Sequence, residues 1–580
     1  HLGASGLHCH TAQAMVGCRT FGRRQHTAAA LCVVAIAIFG TGGRAPNLSS
    51  ARGAAFWTAF ATSNAARSLS QRSQSLVQQR AAAPAIGGDH DAAQMTRVLS
   101  TAPSATSLLS TLPSIMKSPL FNQIHIAVAF HRLARLEYGI STRDRHSFAL
   151  KQLIDTTESL LRIGDTDAKT VAVIFWSVAV LQRMIPETDK LLPPLLDLII
   201  FFASEFTAQG LVNIIWGSAR LELHRAQLQK FLPIITDMAI DKADSLTSQG
   251  LSNIVWAGAK LKRRAPEVLS ILPAMQEMVC ERRGDMEPQA ISNIVWSCAT
   301  LRSEAPALFD AMPVLAEVVG EHVESMTEQE VANIIWGVAT LKKECPVLQR
   351  TLPLLLSRAL NTTGELWDQH LANILWAVAV LKDDAPGVLG GVPVLLDEVV
   401  ARVDKLIPLH TSSIAWAIGQ MHPRVPANAT VLSAIEAAAA RALHEFAPRH
   451  LASTCWGLAM CGSASAGFMK KVAQEVVRIA PAMDDRAVDL DLPQIVCAFA
   501  KLGLRHRKMM SAIASRISPM LPRVNKWGLS ALMWSYSQLD TDGQYADFRQ
   551  SLQMELSRKR ISPARVEASQ HGPDRWHRKR

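Results

Sequence analysis

The sequence predicts an all-α fold, an α-solenoid of roughly ten 40-residue helical repeats. Three observations predict it. Trp stands at 176, 216, 256, 296, 336, 376, 416 and 456, a constant step of 40. A Pro preceded by an apolar residue keeps the same grid at 193, 233, 273, 313, 353 and 393. Asn213, Asn253, Asn293, Asn333 and Asn373 each lie three residues before a Trp, and Gln209, Gln249, Gln289, Gln329 and Gln369 four residues before each Asn. Separate registers sharing one period mark stacked supersecondary units, each too small to bury its apolar face alone.

The longest element of a unit is read from Thr327 to Lys342, TEQEVANIIWGVATLK. Thr327 followed by Glu330 is a capping box that satisfies amides at a helix start. Apolar residues then occupy almost every side, which fits an inner helix covered on most faces. Small residues follow each Trp (Gly217, Ala257, Ser297, Gly337, Ala377, Ala417, Gly457) and recur two positions later. They let neighbouring helices approach closely.

The other half of the unit opens at a second Pro series, Pro266, Pro306, Pro346, Pro386 and Pro426. Pro is favoured at the first helical position and disfavoured inside a helix. Two units fit: an armadillo/HEAT-like one of short, second and long third helix, or a two-helix hairpin kinked at the inner Pro. The array frays at its ends. Residues 121–136 form an early copy with Phe130 near the Trp position; residues 491–502 carry Cys497 there, and Trp534 closes the array.

Four segments follow: a targeting or disordered leader (1–90), degenerate helical units (91–160), the solenoid (161–545) and a basic tail (546–580). Residues 1–88 contain eight Arg and no Lys, Asp or Glu. The apolar run Ala28–Gly40 is shorter than the ~20 residues of a membrane span. A cationic, acid-free leader with a short apolar stretch predicts an organellar address, the mitochondrion first and the plastid as alternative. The leader supplies +8 and residues 555–580 supply +5 of a total of +11, which leaves −2 on residues 89–554. A phosphate-binding surface would therefore need local patches rather than bulk charge.

The nine Cys form no CxxC pair, and no His spacing suits zinc, so they read as reduced small hydrophobes and no metal or cofactor is expected. No Walker loop, HExxH, GxSxG elbow or kinase set occurs, and no enzyme is expected.

The Gln, Asn and Trp registers fall at i, i+4 and i+7, one helix face, so stacking turns them into three parallel stripes. As a binding face, the amides of Gln209, Asn213, Gln249, Asn253, Gln289, Asn293, Gln329, Asn333, Gln369 and Asn373 would bond a partner's backbone or bases. The internal alternative makes Trp a core knob and Asn a bond to a neighbouring element. A second series, Lys262, Arg302, Lys342 and Lys382, follows the Leu that ends each long helix. These cations either grip phosphates along the rod or complement helix C-termini.

The motif NIIWGVATLK, with the Leu-Pro helix start, resembles organellar helical-repeat families. These are the octotricopeptide and heptatricopeptide repeat proteins and the leucine-rich repeats of FAST-kinase-domain proteins. It is similar also to the helical-repeat subunit of the RNA-editing substrate-binding complex. The resemblance covers about 120–540. It implies a non-catalytic RNA-binding protein acting in mitochondrial or plastid RNA processing, editing or stability. Single-stranded RNA or the protein subunits of an RNA-processing complex would then be its partners. The residues alone also allow an armadillo-type protein–protein interaction scaffold with an Asn/Trp groove for extended peptides.

Overall fold

Pro266 begins one unit and shows how the sequence builds it. Ala265 before it lies outside the α region (φ −147°, ψ 71°), which the following Pro ring disfavours. Six residues, Pro266–Ile271, wind as a 3₁₀ helix and run directly into the α-helix Leu272–Glu281. Pro273 lies in the first turn of that helix, where its missing N–H costs nothing. A 3₁₀ turn, Arg283–Asp285, and the extended Met286 then lead into the long helix Pro288–Leu301.

The structure is a computed structural model describing residues 89–569. The leader expectations for residues 1–88 fall outside these residues, and the described ones all belong to one unit, residues 83–580. No strand occurs among the described residues.

The long helices are α1 (Ala168–Leu181), α2 (Ala208–Arg220), α3 (Ser248–Leu261), α4 (Pro288–Leu301), α5 (Glu328–Thr340), α6 (Asp368–Leu381), α7 (Pro408–Met421), α8 (Pro448–Met460), α9 (Leu492–Lys501) and α10 (Lys526–Leu539). Each packs on the next, and the helix Gln123–Arg135 packs on α1. The fold is the predicted α-solenoid. Both expected unit types occur. The 3₁₀–α–α pattern leads into α2 and into α4 to α7, whereas α1, α3, α8, α9 and α10 each follow a single α-helix, of which Arg225–Asp241 is continuous with Pro233 inside it. Residues 546–569, assigned above to the tail, hold the helices Ala546–Arg558 and Pro563–Ala568, and Phe548, Leu552 and Leu556 are buried.

Caps and glycines act as the sequence implies. The Thr207, Thr247 and Thr327 hydroxyls accept from the amides three residues on, at 3.2, 3.1 and 3.4 Å. Glu330 Oε2 accepts from Thr327 N at 2.8 Å, completing the capping box. A Cβ at Gly337 would stand 2.6 Å from Val295 Cγ1, and one at Gly457 would stand 2.0 Å from the carbonyl oxygen of Ala415. The α7–α8 crossing therefore has no room for a methyl group at that point.

Cations join successive units. Lys242, Arg282, Arg358, Arg402 and Arg441, at or near the ends of the α-helices that lie between the stacked ones, donate to the carbonyls of Phe206, Leu246, Met326, Leu366 and Val403. Those carbonyls lie in or just after the turn before a long helix of the preceding unit, a 3₁₀ turn in every case but Phe206. Unpaired, they would lose the hydrogen bonds that buried backbone requires.

The indole ladder as candidate binding face

Burial separates the registers of the long helices. The Gln residues at 209, 249, 289, 329 and 369 are exposed. The Asn residues at 213, 253, 293, 333 and 373 and the Trp residues from 176 to 416 are half-buried, and the positions between them are buried. The stripes thus lie together on one face that the stack leaves uncovered. Among the described residues, Trp is a buried knob only at Trp456 and Trp534.

The indoles form a ladder. Ring centroids are 6.0 Å apart for Trp176–Trp216, 6.2 Å for Trp216–Trp256, 6.5 Å for Trp296–Trp336, 6.4 Å for Trp336–Trp376 and 6.5 Å for Trp376–Trp416. Adjacent rings are inclined by only 27–34°. His131 extends the row, its ring 5.4 Å from Trp176. Phe130, expected near the Trp position of the early copy, is fully buried instead. The ladder residue is its neighbour, and burial together with Arg135 and Arg132 holds the His131 pKa below its ordinary value.

Between Trp256 and Trp296 stands Lys260, its ammonium 5.4 Å from the first ring centroid and 4.8 Å from the second. Partial burial lowers the pKa of this ammonium. Arg220 occupies the same register one unit earlier, with its guanidinium 5.1 Å from the Trp216 ring. All three distances are within cation–π range. The sequence reading singled out neither residue. The signal was present, since a side chain four residues past a helical Trp shares its face.

The amides bond locally. Gln209 Nε2 donates to Asn213 Oδ1 at 2.9 Å, and Asn333 Nδ2 to Ser292 Oγ of the preceding long helix at 3.5 Å. Gln249 and Gln289 line a cavity of about 470 Å³ with Thr247, Arg282, Asp285 and Glu287.

The cation series lies off this face. Lys262 Nζ donates to the carbonyl of Thr300 at 2.8 Å and to Glu304 at 3.1 Å. Lys342 repeats the pattern on the Val380 carbonyl at 2.8 Å and on Asp384 at 2.5 Å. Lys382 lies 3.5 Å from Gln420 Oε1. Arg302 sits in the left-handed region (φ 50°) and starts the turn Arg302–Glu304. At Lys262 and Lys342 the carbonyl lies near the C-terminal end of the next unit's long helix.

Six cysteines are described, all free: Cys298, Cys345, Cys455 and Cys497 buried, Cys280 and Cys461 half-buried. Burial pushes the Cys455 and Cys497 thiols up to about 12 and Cys461 to about 11. Among the described residues no group of three His, Cys, Asp or Glu is placed to hold a metal ion, and no helix is long and apolar enough to cross a membrane.

No family model and no curated protein matches the chain. Among solved structures it is similar to Kap121p bound to Ste12p, with a TM-score of 0.28 and 15% identity over 88% of this chain. It is similar to Kap121p bound to the SUMO protease Ulp1p, with a TM-score of 0.26 and 13% identity over 87% of this chain. The chain spans 55–56% of the length of those karyopherin chains. A homology model of the full-length AP-3 complex also matches, with a TM-score of 0.23 and 10% identity, covering 94% of each chain.

Proposed function

We propose that the chain is a non-catalytic interaction scaffold whose indole ladder receives an extended segment of a partner protein. The observation that carries this reading is the spacing of the ladder. Its steps of 6.0–6.5 Å compare with about 6.4–6.8 Å for two residues of extended chain. A peptide laid along the ladder would put every second side chain against an indole. The exposed Gln row and the Asn row beside it offer the donors and acceptors that an extended backbone needs.

RNA competes for the same face, and the motif resemblance together with the acid-free leader makes organellar RNA processing the setting in which we place the scaffold. The local geometry favours peptide. Two of the four cations assigned to phosphate, Lys262 and Lys342, are engaged with carbonyls and carboxylates of the neighbouring unit.

The test is a photo-crosslinking residue at Gln329, on the amide row, compared with one at Glu277 on a shorter helix. Gln329 is expected to crosslink a protein segment whose recovery survives nuclease treatment, and Glu277 is not. Adducts at Gln329 that nuclease abolishes would replace the peptide with RNA.

A further inference from the structure

We propose that the ladder from Trp296 to Trp416 selects an extended peptide with Lys or Arg at every second position. This rests on the peptide reading above and names the partner's chemistry.

The chain itself shows what the indoles accept. Where Trp256 is followed by Trp296, the Lys260 ammonium stands over both rings, at 5.4 and 4.8 Å. Arg220 does the same on Trp216. Lys260 is an in-chain copy of the ligand group: an aliphatic stem that crosses the helix face and a cation that ends on indole faces. An indole attracts a cation through the negative face of its π-system, and a partly desolvated site strengthens the attraction. In the following units the same position holds Thr300, Thr340, Val380 and Gln420. From that position the chain supplies no cation, while the half-buried indoles continue.

Charge points the same way. The entrances to α5 and α6 carry Glu324, Glu328, Glu330, Glu365 and Asp368, all exposed or half-buried. Glu330 lies six residues before Trp336 and Asp368 eight before Trp376, about 9–12 Å along the helix. The guanidiniums that reach this edge, Arg358 and Arg402, are turned onto the carbonyls of Met326 and Leu366. A cationic chain over the indoles therefore meets a flanking row of carboxylates.

Register supplies the selectivity. The three steps from Trp296 to Trp416 measure 6.5, 6.4 and 6.5 Å, within the range of about 6.4–6.8 Å for two extended residues. Four rungs are thus spanned by seven residues without accumulated drift, and the intervening side chains face away from the ladder.

The experiment titrates the full chain with four labelled 11-residue peptides. The first alternates Lys with Thr, the second replaces each Lys with Gln, and the third replaces each with Glu. The fourth has the composition of the first with its Lys residues contiguous. The alternating Lys peptide is expected to bind at least tenfold more tightly than its Gln twin and severalfold more tightly than the contiguous one, with the Glu peptide weakest. Gln binding as tightly as Lys would overturn the cation preference and leave the peptide groove standing. Equal binding of the alternating and contiguous peptides would overturn the register. Failure of all four to bind would remove the peptide reading itself. A Lys260→Gln chain, which frees the rung between Trp256 and Trp296, should bind a 15-residue alternating Lys peptide severalfold more tightly than the parent. Unchanged or weaker binding contradicts the view that Lys260 occupies a ligand position.

Discussion

Replacing Gly457 with Ala tests the glycine with the least room for a side chain among the described residues. The added Cβ would stand 2.0 Å from the Ala415 carbonyl oxygen, 2.3 Å from its carbon and 2.9 Å from the Trp416 nitrogen. All three are backbone atoms of α7, so no side chain can swing aside. The two helices must separate by about 1 Å or more, and the contacts around them loosen together. Overpacking of this kind costs about 1–3 kcal/mol or more, against a gain of about 1 kcal/mol from the better helix propensity of Ala. Gly258→Ala is the matched control, because its Cβ would meet Leu269 Cδ2 at 3.6 Å and Leu272 Cδ2 at 3.8 Å, both ordinary contacts. There the propensity gain stands alone, and about 0.5–1 kcal/mol of stabilisation is expected. Repeat arrays lose cooperativity, so hydrogen exchange in α7 and α8 should be read beside urea melts. Gly457→Ala should speed exchange in α7 and α8 first. If Gly457→Ala were as stable as the parent, or Gly258→Ala lost as much as Gly457→Ala, the close-approach argument would be wrong.

Three further outcomes are expected. Burial lowers the pKa of His370, against the pull of Glu328, of His410, against that of Asp368, and of His450, to which Arg449 adds. The unfolded chain then holds protons that the folded one refuses, so stability is full above the unfolded pKa of about 6.5 and falls as pH drops through it. Melts between pH 7.5 and 5.5 should show this slope, and His410→Ala with His450→Ala should flatten it. Lys342→Ala removes a charged donor from the Val380 carbonyl and Asp384, so urea melts should show a loss of about 1 kcal/mol. Peptide affinity should be unchanged, whereas a loss of affinity would return this residue to the binding face. Residues 1–90 fused to a fluorescent protein should direct it to an organelle, and diffuse cytosolic signal would remove that expectation.

Much of the fold was legible because a repeat states its packing many times over. The Trp grid, Thr327 with Glu330 and the Leu-Pro pairs each fixed a boundary that recurs at the same offset. The choice between a three-element unit and a hairpin was not legible. The Pro266 segment winds as a 3₁₀ helix, whereas Arg225–Asp241, with Ala226 where the other unit has its Pro, winds as an α-helix from its first turn. The candidate face was half legible. Its Gln, Asn and Trp rows were found from the period, but Lys260 and Arg220 escaped because their register is not uniform from unit to unit. Lys262 and Lys342 looked the same from either reading, since a cation at a helix end serves a phosphate or a carbonyl equally well.

The sequence by itself determined that helices stack every 40 residues, because only a fixed period can align one apolar face with the next. It also determined which residues share a helix face, since that follows from 3.6 residues per turn. Only the tertiary structure decided which shared face stays uncovered and which cations are already engaged. Both depend on where the neighbouring unit's side chains and carbonyls arrive, and a periodicity within one helix carries no record of that.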